Sequence, residues 1–245
     1  IIKLLEELGE NDFVLFIISG GGSSLLYNSD KISPEKEKCV VRRLFEAGAD
    51  IEEINTIRKH ISRARGGNLA KYACPARSAS LIFSDVPSNE LEFVASGPTV
   101  KDSTTVEDAK SILGKYGISD ACGVGGSSLL ETPKDNKYFE KVRNVLFVSN
   151  KIALDAMRDK AVELGFSAEI RDGSVEGEAR EVGRSIIEKL HGEDSKTAVL
   201  YGGETTVTVK GKGRGGRNQE LVLGALRDVK EGELVAAIAS DGWDN

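Results

Sequence analysis

Apolar residues along this chain fall into two kinds of run. Continuous blocks such as DFVLFIIS (12–19) and SASLIFSD (78–85) read as strands buried on both faces, each opening into a glycine-rich or polar loop. Between them lie helical patterns with start and stop signals. SPEKEKCVVRRLFEAG places Ser33 at the N-cap and Pro34 in the first turn, and stops at Gly48. DIEEINTIRKHI offers Asp50 as N-cap with Glu53 as capping-box partner, and aligns Ile51, Ile54, Ile57 and Ile61 on one face. TVEDAKSILGKYG carries a second capping box, Thr104 with Glu107, and ends at Gly117.

The later half repeats the alternation. NVLFVSNKIALDAMRDKAVELG (144–165) is a strand running into a helix, followed by strand AEIR and helix GEAREVGRSIIEKL. Then come strand TAVLYGGE, an alternating TTVTV strand, helix QELVLGALRDV and strand ELVAAIAS. Strands alternating with helices predict an α/β fold with a parallel sheet covered on both faces. The expected architecture is a Rossmann-like three-layer domain followed by a second, smaller C-terminal α/β domain. The polar, helix-breaking stretch HGEDS (191–195) sets the expected boundary, giving domains 1–191 and 192–245.

Composition narrows the function classes. The 33 basic and 39 acidic residues leave a net charge of −6, which disfavours a general nucleic-acid binder. No run approaches the roughly 18 apolar residues of a membrane span. Cys39, Cys74 and Cys122 are odd in number and lack CxxC spacing, so three free thiols in a reducing cytoplasm are expected. The start at Ile1 inside a helical pattern, the single Met157 and the end at DGWDN make an internal fragment the expectation.

Candidate chemistry gathers at strand ends, where ligands of open α/β sheets bind. Three glycine clusters sit there: Gly20, Gly21, Gly22, Ser23 and Ser24; YGGET with Gly202, Gly203 and Glu204; and GKGRGGRNQE (211–220). Such loops free several backbone N–H groups to converge on one anion. Lys212, Arg214 and Arg217, with Asn218 beside them, suit phosphate or a phosphate beside a carboxylate. Gly211, Gly213 and Gly216 match GxGxxG formally, but a dinucleotide fingerprint follows a doubly buried strand, and TTVTV is wet on one face. Asp85 and Asp241 end strands as candidate metal ligands or bases, or as simple caps. Arg58, Lys59 and His60 form a polar run, Asn150 either caps a helix or meets a nucleotide base, and Ser96 and Gly97 lie in the turn SGPT.

Together, SGGGSSLL, GADIEEINTIRKHIS with GGNLA, SDVP, ASGPTV, ETPK, GEAR, GGETTVTVKGKGRGGRNQE and DGWD resemble the class II glycerate 2-kinases, or MOFRL family. The resemblance runs in order from about Asp12 to Asp244. It implies transfer of the ATP γ-phosphoryl to the 2-hydroxyl of D-glycerate with Mg²⁺, and so ATP, Mg²⁺ and a small sugar acid as partners. It carries catalytic roles onto Lys59, Asp85 and Arg217, and a further lysine segment ahead of the first glycine loop that this sequence does not show. A hydroxypyruvate reductase and an inactive sugar-acid or nucleotide binding module are the alternatives.

Overall fold

A computed structural model describes residues 1–84, 90–211, 213–240 and 242–244, with only the backbone of Ser24. The chain divides into two compact units, Ile1–Ser149 and Asn150–Asn245. The HGEDS stretch lies inside the second unit, because the strands on either side of it pair with one another.

In the first unit, β1 (Phe13–Ser19), β2 (Arg77–Phe83) and β3 (Val142–Val148) form a parallel sheet in the order β1-β2-β3. Its core lies among three helices, α3 (Pro34–Glu46), α4 (Ile51–His60) and α6 (Val106–Lys115); the short α1 (Ile2–Glu6), α2 (Gly22–Leu25) and α5 (Asn68–Ala73) complete the series to that point. Val40, Leu44, Ile54, Ile57, Ile61, Ala109 and Leu113 make one apolar cluster there. Helix α3 starts where Ser33 accepts from the Lys36 N–H, and α4 where Asp50 and Glu53 form the expected reciprocal box.

Four expectations for this unit are corrected. The box opening α6 uses Thr105 and Asp108, one residue later than Thr104 and Glu107, because the Thr104 hydroxyl is committed to Asp102. Ile51, in the first turn of α4, is exposed instead of joining the isoleucine face. Strand β1 is not buried on both sides: Phe13, Leu15 and Ile17 share one face by the period of two and remain exposed. Finally, Cys39 of α3 is disulfide-bonded to Cys122 of α7 (Ile118–Cys122), leaving Cys74 as the free thiol. Packing brings their Cα atoms to 5.9 Å, within bridging range, although 83 residues separate them in sequence. The cysteine argument for a reducing compartment therefore falls away.

The second unit pairs β4 (Ser167–Val175) with β5 (Thr197–Gly203) in parallel; α8 (Asn150–Glu163) precedes β4, α9 (Ala179–Leu190) links the strands, and α10 (Arg217–Ala225) packs on α9. Gly183 and Gly224 let the two helix backbones meet: a Cβ on Gly183 would lie 1.9 Å from the Leu221 carbonyl oxygen. Two expected strands do not form among the described residues. TTVTV contributes only the isolated bridge Glu178–Thr206, and 233–240 joins no ladder, with Leu234 and Ile238 exposed. Alternating apolarity makes a strand only where a neighbour supplies the missing hydrogen bonds. No described helix is long and apolar enough to cross a membrane.

Candidate active site

The polar residues of the first unit gather in two adjoining networks at the C-terminal end of α4. In one, Lys59 is buried, and its Nζ donates to Glu92 Oε2 and Asp102 Oδ1, each at 3.0 Å. His60, fully buried, donates from Nδ1 to the Leu130 carbonyl at 2.9 Å. Asp102 also accepts from the Thr104 N–H and hydroxyl and from the Thr132 hydroxyl. Burial works to raise the Asp102 pKa, but the Lys59 ammonium and the Thr104 hydrogen bonds hold it below its ordinary 3.8. In this arrangement two of the three Lys59 N–H donors go to carboxylates of its own chain.

The other network surrounds the first glycine loop. Arg65 is fully buried; its Nη1 pairs with Glu37 at 2.7 Å and reaches the Arg58 carbonyl, while Nη2 donates to the Ser23 carbonyl at 2.5 Å. Ser23 Oγ lies 3.1 Å from Ser96 Oγ, and the Ser96 hydroxyl donates to Asn55 Oδ1. Arg65, which sequence reasoning missed, thus joins the loop 20–24 to Arg58, and the Ser23–Ser96 contact joins that loop to the SGPT turn. The signal for it is a cation placed directly before the glycine pair of RARGG. The SGPT turn is tied to the sheet: Thr99 shares hydrogen bonds of 2.8 Å with Ser80 of β2 and Asn144 of β3.

In the second unit several of the expected residues are engaged by contacts within that unit. Asn150, at the head of α8, donates from Nδ2 to the Gly173 carbonyl at 2.7 Å. A Cβ on Gly202 would fall 2.4 Å from the same Nδ2, so a side chain there would displace the Asn150 amide. Arg217 pairs with Glu204, and Arg214 is exposed in its loop. Asn218 donates from its backbone N–H to Asp244 at 2.7 Å, and the Gln219 N–H does so at 2.9 Å. Burial opposes the ionisation of Asp244, yet these amide hydrogen bonds hold its pKa below the ordinary value. A carboxylate of the chain itself therefore fills the N-terminus of α10, where the glycine loop alone suggested a bound anion. Asp85 and Asp241 lie outside the described residues. Among the described residues no group of three or more His, Cys, Asp or Glu side chains is placed to hold a metal.

Residues 1–125 match the family described as a domain of unknown function (DUF4147), and residues 197–245 match the MOFRL family. D-glycerate 2-kinase of Thermotoga maritima is 41% identical over 254 residues, covering 100% of this chain and 60% of that protein. The chain belongs to the MOFRL glycerate 2-kinase family. A protein of Agrobacterium vitis named putative hydroxypyruvate reductase is 39% identical, over 98% of this chain and 57% of its own. The crystal structure of glycerate kinase from Thermotoga maritima superposes with a TM-score of 0.82 at 43% identity, covering 91% of this chain and 55% of that one. The chain thus spans about three fifths of the length of the curated relatives it matches.

Proposed function

We propose that the protein carrying this chain is an ATP-dependent kinase that phosphorylates D-glycerate on its 2-hydroxyl, giving 2-phospho-D-glycerate. The observation that carries this reading is 41% identity over the whole chain to a D-glycerate 2-kinase, with the glycine loops and their basic residues in the matched region. Phosphoryl transfer asks a protein chiefly for positioning and charge, because the transition state spreads charge over three equatorial oxygens. Arg217 is the proposed cation for that charge. Its pairing with exposed Glu204 is weak enough to exchange for a phosphate oxygen. The loop at 20–24 in the first unit is proposed to meet a ligand, and so, within the second unit, are 202–204, Asn150, Arg214 and Asn218. Mg²⁺ would neutralise the phosphates when bound, with Asp85 or Asp241 as its proposed ligand. A cytoplasmic setting is part of the same proposal.

The decisive assay is ADP release by the full-length protein with D-glycerate and Mg²⁺-ATP. The name borne by the Agrobacterium vitis relative supports a second reading, reduction of hydroxypyruvate. NADH oxidation with hydroxypyruvate, and no glycerate-dependent ADP release, would establish that reading instead.

A further inference from the structure

We infer that the Arg58 guanidinium, backed by buried Arg65 at the first glycine loop, recognises the carboxylate of the acceptor acid. The inference rests on the kinase reading above and assigns one half of its substrate to a subsite in the first unit.

Three observations converge on this place. The first is a charge imbalance. Two guanidinium groups, Arg58 and Arg65, share one carboxylate, Glu37, and Arg65 takes its Oε1 at 2.7 Å. Arg58 has no ion-pair partner among the described residues, and its Nε is buried without a hydrogen bond. Burial and the neighbouring Arg65 charge both work against the ionised form of Arg58, so the site gains from an arriving anion. The surplus is one positive charge, and a planar fork matches a planar carboxylate through two parallel hydrogen bonds. A nucleotide triphosphate would bring several negative charges to the same single surplus.

The second observation is a close-packed polar wall. Arg65 bonds the carbonyls of both Arg58 and Ser23, fixing the end of α4 against the loop. The hydroxyls of Ser23 and Ser96 lie 3.1 Å apart beside it. A side chain on Gly22 would strike Ala95, its Cβ falling 2.7 Å from that of Ala95.

The third is backbone strain at the same turn. Ala95, Ser96 and Gly97 adopt φ of 52°, 58° and 59° in succession, two of them residues that rarely visit that region. Backbone bonds from the Gly66, Gly67 and Leu69 N–H groups to the carbonyls of Ser96, Gly97 and Pro98 hold the turn there. Such strain persists where the surrounding structure over-determines it, which is common at ligand clamps.

The test is calorimetric titration of the full-length protein and its Arg58→Gln and Arg58→Lys variants with D-glycerate, glycerol and ATP. Arg58→Gln should weaken D-glycerate at least about tenfold, the loss expected for a hydrogen bond to a charged group. ATP affinity and the melting midpoint should stay unchanged. Arg58→Lys should recover part of the loss, since it keeps charge without the fork, and glycerol, lacking the carboxylate, should respond to neither change. Loss of ATP binding with D-glycerate binding intact would overturn the inference and move Arg58 to the phosphates. Equal D-glycerate affinity in wild type and Arg58→Gln would overturn it while leaving the kinase reading standing. Failure of the wild-type protein to bind D-glycerate would overturn both.

Discussion

Lys59 and Arg217 carry the same charge and the same expected catalytic role, yet the fold treats them oppositely. Lys59 is buried between Asp102 and Glu92, inside a network that also holds His60 and two threonines. Arg217 stands at the start of α10 with one exposed partner, Glu204. A cation sealed among its own carboxylates contributes to the integrity of the fold, because removing one member leaves an uncompensated buried charge. A cation held by a solvated carboxylate contributes little to stability and remains available to a ligand.

The sharpest way to break this contrast is Lys59→Met. It should destabilise the protein by about 3 kcal/mol, read from the denaturation midpoint, because buried Asp102 loses its hydrogen-bonded ammonium and keeps only Lys134, whose Nζ lies 3.8 Å away. A midpoint left in place with turnover lost would instead make Lys59 a group that meets substrate. The same network sets an acid limit. The folded pKa of Asp102 is depressed, so its contribution is present above the unfolded value of about 3.9 and is lost as pH falls through the lower folded value. Asp102→Asn should therefore flatten the acid side of the stability profile.

Next in size is the disulfide between α3 and α7. Cys39→Ser should cost about 2–4 kcal/mol, the usual range for a bridge closing a long loop. An equal melting midpoint with and without reductant would show that the bridge contributes nothing.

Arg217→Lys should leave the melting midpoint in place while lowering turnover of the full-length protein at least about tenfold, since lysine keeps the charge without the bidentate fork. Glu204→Gln, which frees the same guanidinium, should change stability by under about 1 kcal/mol. Unchanged turnover in Arg217→Lys would reduce the pair to a surface contact.

The most local effect is expected at Asp244. Its replacement by alanine removes the carboxylate that accepts from the Asn218 and Gln219 N–H groups, a capping loss of about 1 kcal/mol. Faster amide exchange confined to the first turn of α10 would register it. Exchange rates unaltered at those two amides would mean that water caps the helix equally well.

Local signals in the sequence determined the elements whose causes are local. The Asp50–Glu53 box, the Ser33 cap and the apolar runs of β1 and β2 lie where the spacing places them, and the parallel α/β class follows from their alternation. The order of the glycine, RKHIS and GRGGRNQE motifs was likewise enough to point to the family. What tertiary structure alone decided depends on residues far apart in the chain. It set the partners of Lys59, 33 and 43 residues away, and the Cys39–Cys122 bridge across 83. It also joined Arg58 to Ser23 through Arg65, and refused strands to TTVTV and 233–240. The physical reason is the same in each case. A cap or a periodic face is satisfied within a few residues, whereas a buried charge, a thiol or a strand edge takes its meaning from whichever distant group the packing sets against it.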